Sequence, residues 1–348
     1  MSKHSIQAIS GETYPKLFVV GCPRSGTSWV KSLVGGHPDV VSVPTETQAY
    51  RLIYEPFLRL PKQPLQERLK GWKGILRRYG PKPLLLSFDT QDIWQGILSN
   101  YDILNKPDSY GLHGLASREA FKGLLQQAQV SPGDRLKQAE NLIAGLLDHF
   151  YQQQGYPGMS LLEKTPMHLR YVEQILKRFP EARVIEVIRD GRDVCVSYNA
   201  LAKTQTWARI GSAGAIRQWR QCIKMGEAYR ARPDLAARIS TVRYEQLQAD
   251  TAGQLAQLFD FAGLRWHHRQ IEHIVQANDI RRIRYRGEGK PHRQGRTSDW
   301  QQTLSKADQQ LCETVAGEQL AQLGYTAAAA PAITTNGTTS FDTQSPTP

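Results

Sequence analysis

The sequence predicts an α/β protein: a central parallel β-sheet with flanking helices and an inserted, mainly helical cap. Three observations carry that expectation. Apolar, strand-like runs alternate with helical stretches along the chain. Several of these runs end in charged residues, at the strand ends where parallel sheets hold their ligands. The first run stops at a glycine loop, "GCPRSGTS", Gly21 to Ser28, that opens directly into a helix.

The elements follow in order. Leu17–Val20 is an apolar run read as a buried strand, and Ser28–Gly35 as the helix after the loop. "HPDVVSVP", His37–Pro44, is a turn into a short second strand. Residues 48–158 are too long for a simple crossover and read as an insertion over one face of the sheet. It holds an aromatic and basic segment, Tyr50–Tyr79, then "PKPLLLSF", Pro81–Phe88, and a helical stretch, Gly133–Gln154. "MSLLEKTP", Met159–Pro166, resumes the strand pattern, with a helix expected over Met167–Phe179. "ARVIEVIRD", Ala182–Asp190, is a further buried strand, and "GRDVCVSYNAL" starts the next helix. "ISTVRYEQL", Ile239–Leu247, is a strand leading into a helix, and Asp308–Tyr325 a terminal amphipathic helix. Residues 326–348 carry too few large apolar side chains to fold. The expectation is one domain over 1–325, with the insertion at 48–158 and a disordered C-terminal tail. No internal repeat is visible.

Composition narrows the function classes. The 348 residues carry 44 Lys and Arg against 32 Asp and Glu, a formal charge of +12. That favours anionic partners: nucleotides, nucleic acid, anionic lipid or acidic glycans. An arginine-rich stretch, Arg281–Arg286, has no recognisable nucleic-acid module around it, so no specific nucleic-acid partner is expected. The four cysteines form no C-x-x-C pair, which argues against a zinc or thioredoxin-like motif. The first residues lack a signal-peptide core, and no uninterrupted apolar run is long enough to span a bilayer. Cytoplasmic residence is the expectation, with peripheral contact at a membrane left open.

The loop carries the chemistry. It nearly matches the Walker A pattern G-x-x-x-x-G-K-[ST], hence a P-loop NTPase-like fold, but no lysine follows Gly26. Arg24 stands inside it instead, and Thr27 and Ser28 follow. Glycines let the backbone curl around an anion, and the helix start presents free N–H groups to it. Arg24 adds a permanent forked cation. A triphosphate enzyme would also need the lysine and a magnesium-binding carboxylate; the strand ending at Asp190 has Arg189 beside that acid. Farther on, Arg189 at a strand end and Ser197 near the second helical turn are placed to close on one anion. Read without the loop, Arg189, Asp190, Arg192 and Asp193 are better taken as a solvated ion-pair cluster.

Taken together, "PRSGTSW" (Pro23–Trp29), "EKTP" (Glu163–Pro166), "VIRDGRDVCVSY" (Val187–Tyr198), "VRYEQL" (Val242–Leu247) and "GRTSDW" (Gly295–Trp300) resemble the sulfotransferase family, in the family's order. The resemblance covers about residues 16–47 and 159–325 and lapses across the insertion. It lies nearer the membrane-type, tyrosylprotein and bacterial members than the cytosolic small-molecule ones. It implies 3′-phosphoadenosine-5′-phosphosulfate (PAPS) as sulfuryl donor and no metal. It further implies that Arg24, Ser25, Gly26, Thr27, Ser28 and Trp29 wrap the 5′-phosphosulfate. Arg189 and Ser197 bind the 3′-phosphate, Tyr244 lines the nucleotide pocket, and Lys164 stands near the donor's bridging oxygen. Arg296 approaches the 3′-phosphate from a C-terminal loop, although the cytosolic members' "RKG" triplet is absent there.

On the acceptor side, "HPDVVSVPTET", His37–Thr47, resembles the segment in which membrane-type and tyrosylprotein members carry a glutamate base. Glu46 is that candidate, with one extra residue of spacing; His113 and His168 are substitutes. The implied acceptor is a hydroxyl of a carbohydrate, a lipid-linked group or a small molecule. Trp72, Arg77, Arg78 and Trp94 in the insertion are candidates to receive it. Protein-tyrosine sulfation, a small-molecule kinase and a non-catalytic nucleotide- or glycan-binding protein are the alternatives.

Overall fold

The structure, a computed structural model, describes residues 14–58, 93–94, 97–98, 101, 111–155, 157–280 and 297–325. Five strands form one sheet: β1 Lys16–Gly21, β2 Val40–Ser42, β3 Ser160–Lys164, β4 Arg183–Ile188 and β5 Ile239–Arg243. Their order is β2-β3-β1-β4-β5, and every pairing is parallel. β1 is central and buried throughout. Its pleat feeds two cores: Phe18 and Val20 join one, Leu17 and Val19 the other.

The principal helices are α1 Thr27–Val34, α2 Ala49–Leu58, α3 Arg118–Gln129, α4 Arg135–Gln154, α5 Val172–Arg178 and α6 Gly191–Leu201. They continue with α7 Gly211–Arg230, α8 Tyr244–Ala249, α9 Thr251–Ala262, α10 His268–Ala277 and α11 Lys306–Gln322. Trp29, Val30 and Leu33 of α1 pack with α9 and α10 on one side of the sheet. Tyr50 and Ile53 of α2, Phe121 of α3 and Leu142 of α4 join the other core. The described part of the insertion is therefore helical and covers a single face. Among the described residues no helix is long and apolar enough to cross a membrane.

Local chemistry sets the helix starts. Ser117 and Asp134 accept from the amides of Ala120 and Lys137, capping α3 and α4. Asp190 caps α6 by accepting from Arg192. Gly263, at φ 74°, closes α9 in the left-handed conformation that glycine adopts without penalty.

Three elements differ from expectation. The helix expected over Met167–Phe179 is a 3-10 turn, Pro166–Tyr171, followed by α5. Tyr171 breaks the two apart at φ −123°, where its ring stacks on Tyr50 and Tyr54 of α2; tertiary packing overrides the helical pattern. The terminal helix is interrupted at Ala316 (φ −138°), so it presents no single apolar stripe. The sequence reading also passed over α7, a 20-residue helix that buries Ala215, Ile216, Trp219, Cys222 and Ile223. The segment Pro81–Phe88, Arg281–Arg286 and the tail 326–348 lie outside the described residues.

Candidate active site

The glycine loop leaves the C-terminal end of β1 between β3 and β4, the crevice where open parallel sheets take ligands. Its backbone is tightly determined. Arg24 is left-handed at φ 77°, and Ser25 N bonds Cys22 O at 3.1 Å. Gly26 has φ +97°, and a Cβ there would lie 2.4 Å from the Tyr244 ring. Only glycine fits that approach. Thr27 and Ser28 stand in the first turn of α1, where no helical carbonyl precedes their amides. Ser25 is 0% exposed, and its Oγ has no hydrogen-bond partner.

Trp29 is engaged elsewhere. Its amide donates to Gly26 O (2.9 Å) and its indole Nε1 to Asn278 O (2.9 Å). Its ring meets Tyr244 edge-on at 5.6 Å. It therefore shapes the wall beside the loop with its ring.

Two strand ends bring the loop its cations. Lys164, the last residue of β3, is in register with Val19 of β1. Its Nζ donates to Ser28 Oγ (3.2 Å) and pairs with Glu46 Oε1. Glu46, with 18% of its side chain exposed, also accepts weakly from Gln48 Nε2 (3.5 Å). Loop, β3 and the segment after β2 thus converge on one point through Ser28, Lys164 and Glu46. On the other flank Arg24 Nε donates to Ser197 Oγ (3.0 Å), and Arg189 Nη1 reaches Arg24 O at 3.4 Å. The Arg189 guanidinium lies 4.4 Å over the Tyr244 ring. Arg24, Arg189, Ser197 and Tyr244 are therefore neighbours, with Ser197 engaged by Arg24.

The charges around Arg189 are not a solvated cluster. Asp190, Arg192 and Asp193 are buried. Arg192 pairs with Asp190, donates to Tyr325 O (3.0 Å) and stacks 3.8 Å over Trp300. Asp193 accepts from Ser298 N (2.9 Å) and Trp300 N (3.1 Å). Burial pushes its carboxyl up to about 6, against the pull of Arg189. These groups tie Ser298 and Trp300, in the described end of the "GRTSDW" segment, onto α6. Arg296 lies outside the described residues, but Ser298, two residues on, is held in this way.

His168 is 1% exposed, and its Nδ1 faces Glu163 at 3.1 Å. His113 is half-buried; among the described residues neither ring nitrogen has a partner. Its segment is anchored to the candidate base, since Gly111 N donates to Glu46 O (2.9 Å). In the insertion, Trp94 packs against the core, while Trp72, Arg77 and Arg78 lie outside the described residues. Among the described residues no group of His, Cys, Asp or Glu is arranged to hold a metal ion. A concavity of about 420 Å³ between His37, Arg265 and His273 lies by the turn preceding β2, at the opposite end of the sheet.

Lys31 is a site neighbour that sequence reasoning missed. It projects from α1 and donates to Val43 O (2.5 Å) and Pro44 O (3.2 Å), the chain leading to Glu46. Its signal was its place one turn beyond Thr27. Burial first, then the charge of Lys164, pushes its amine down to about 8 from an ordinary 10.5. A folded pKa below the unfolded one means that the unfolded chain holds the proton more tightly. The penalty is complete below pH 8 and disappears as pH rises toward 10.5. Denaturant unfolding should therefore show wild type gaining stability relative to Lys31→Met between these limits. A constant or opposite gap contradicts the burial of that charge.

The family model described as "Sulfotransferase family" matches residues 15–268. No curated protein matches the chain. Among solved structures, the sulfotransferase domain of the Synechococcus PCC 7002 olefin synthase is 19% identical, over 89% of this chain and 97% of that one, with a TM-score of 0.44. Sulfotransferase STF9 of Mycobacterium avium is 16% identical, over 90% and 77%, with a TM-score of 0.47. Mouse SULT7A1, complexed with PAP, is 11% identical, over 89% and 86%, with a TM-score of 0.46. By the family match, which spans β1, the glycine loop and all five strands, this chain belongs to the sulfotransferase family.

Proposed function

We propose that the chain moves a sulfuryl group from PAPS to an acceptor hydroxyl, without a metal. The observation that carries this reading is the convergence of Ser28, Lys164 and Glu46 on one flank of the glycine loop, with Arg24, Arg189 and Ser197 on the other. The residues fit such a donor. Among the described residues Ser25 Oγ is buried and unpartnered beside first-turn amides, and the bare Gly26 backbone lets the Tyr244 ring close against the loop.

When bound, PAPS supplies an activated sulfuryl group on a phosphate leaving group. The loop amides and Arg24 hold the 5′ end; Arg189, with Ser197 and Arg296, holds the 3′-phosphate; Tyr244 lines the pocket between them. Lys164 stabilises negative charge developing on the bridging oxygen. Glu46 takes the proton of the acceptor hydroxyl. Because Lys164 pairs with Glu46 and reaches Ser28 Oγ in the structure, the lysine also aims the carboxylate at the loop. We favour a carbohydrate, lipid-linked or small-molecule hydroxyl as acceptor, since Glu46 resembles the base of the membrane-type members; we place the reaction in the cytoplasm.

The test is transfer of labelled sulfate from PAPS to a panel of hydroxyl acceptors, with and without EDTA. Transfer should be unchanged by EDTA. Full loss restored by magnesium would overturn the metal-free reading, and no sulfate transfer alongside magnesium-dependent phosphoryl transfer from ATP would favour a kinase. Donor that binds but is never consumed would favour a non-catalytic binding protein, and label confined to tyrosyl peptides would move the acceptor to protein.

A further inference from the structure

A buried polar network lies directly behind the proposed catalytic pair, and the mechanism above does not use it. Glu163, Thr165, His168 and Thr47 are each no more than 1% exposed. Glu163 Oε1 accepts from Thr47 Oγ1 (2.9 Å) and Thr165 Oγ1 (2.6 Å). Its Oε2 lies 3.1 Å from His168 Nδ1. A carboxylate only accepts, so Nδ1 carries the hydrogen in this pair. Burial would push its pKa up, but charge interaction with His168 first, then the three hydrogen-bond donors, hold it below the usual range instead.

The placement of this network follows from the backbone. Side chains alternate along β3, so Glu163 and Lys164 point to opposite faces of the sheet. Lys164 reaches the loop, while Glu163 points toward the side covered by α2. Pro166 keeps Thr165 extended (φ −134°, ψ 110°), and from there its hydroxyl turns back onto Glu163. Thr47 comes from a segment 116 residues away. It stands between Glu46 and Gln48, and Gln48 is left-handed at φ 53°. A non-glycine residue persists there only where its surroundings determine it. Thr47 Oγ1 supplies that constraint, donating to Glu163 and accepting from Ala49 N (3.4 Å) as α2 begins.

We propose that Glu163 is a positioning residue for sulfuryl transfer: through Thr47 and Thr165 it fixes Glu46 and Lys164 against each other and against Ser28. This rests on the reading of Glu46 and Lys164 as base and charge stabiliser. An apolar side chain at 163 would fill the space. It would also leave Thr47, next to Glu46 and before the left-handed Gln48, without the carboxylate it donates to.

Thr47→Val tests this, because it keeps the volume and removes the hydroxyl facing Glu163; Thr47→Ser is the conservative control. Glu163→Gln is the companion, with Thr47→Val carrying the test where Glu163→Gln fails to fold. The first readout needs no acceptor. In wild type, Lys164 Nζ, held by Glu46 and Ser28, should give a slowly exchanging ammonium resonance in ¹H–¹⁵N spectra, identified by its loss in Lys164→Arg. It should broaden away in Thr47→Val and persist in Thr47→Ser. The second readout is turnover of labelled PAPS. Thr47→Val should lower kcat by about tenfold or more with PAP affinity and donor KM nearly unchanged. Thr47→Ser should recover most of that loss. The proposal is overturned if Thr47→Val keeps both resonance and kcat, if wild type shows no protected Lys164 resonance, or if PAP affinity falls in step with kcat. Wild type that neither binds PAP nor consumes PAPS would sink the functional reading instead, and the resonance would still decide the positioning claim.

Discussion

Glu46→Gln is expected to lower kcat by about 10²-fold or more while PAP binds with nearly unchanged affinity. The carboxylate sits after β2, paired with Lys164, whose Nζ also reaches Ser28 at the start of α1. Glutamine keeps the shape and an oxygen for Lys164 to donate to, but cannot take a proton from a hydroxyl. Arg189 and Ser197, the proposed 3′-phosphate clamp, are on the other flank of the loop, which is why donor affinity should survive. Lys164→Ala should lower kcat too, through lost charge stabilisation at the leaving oxygen. The pH–rate profile separates the two: removing the base abolishes the acidic limb, and removing Lys164 leaves it. Near wild-type turnover in Glu46→Gln would place the base elsewhere. His113 would be the next candidate, since no described residue engages its ring nitrogens and its segment bonds the Glu46 backbone. His168 is poorly suited, with Nδ1 committed to Glu163 in a fully buried position.

Arg189→Ala should weaken PAP binding by about 2–4 kcal/mol, the usual loss when a desolvated charge loses its partner. The guanidinium is fixed from two sides, over the Tyr244 ring and against Arg24 O, so it is already oriented before a ligand arrives. Adenosine 5′-phosphosulfate, which has no 3′-phosphate, should lose far less. The comparison by calorimetry is internal to the variant, so a general loosening of the loop would show as equal losses for both nucleotides. Equal losses contradict the assignment.

How much of this was legible in the sequence differs by element. β1, β3 and β4 were readable because each is buried on both faces and therefore apolar nearly throughout. The loop was readable because Gly26 and its hydroxyls recur in a fixed order before a helix. α7 was missed because Arg217, Arg220 and Lys224 mask the 3.6-residue spacing of Ile216, Trp219 and Ile223. The break at Tyr171 was invisible because it depends on rings from α2, more than 100 residues away. Within the site, Glu46 and Lys164 were each singled out by motif, but their contact spans 118 residues and only the sheet brings them together. Glu163, inside "EKTP", has no signal of its own in the sequence. Strand alternation turns it away from the loop, and nothing local announces that Thr47 meets it from behind. Asp193 read as a surface charge because two of its acceptor contacts are to main-chain amides 105 and 107 residues later.

The central claim is that the glycine loop and the Arg189 clamp hold a 3′,5′-bisphosphorylated adenosine without a metal. Calorimetric titration of PAP, 5′-AMP and ATP into the wild-type chain, in EDTA and again with magnesium, tests it most directly. The account predicts that PAP binds in EDTA at least roughly 30-fold more tightly than 5′-AMP, with magnesium changing nothing. PAP and 5′-AMP binding alike, or ATP with magnesium binding more tightly than PAP, would contradict it.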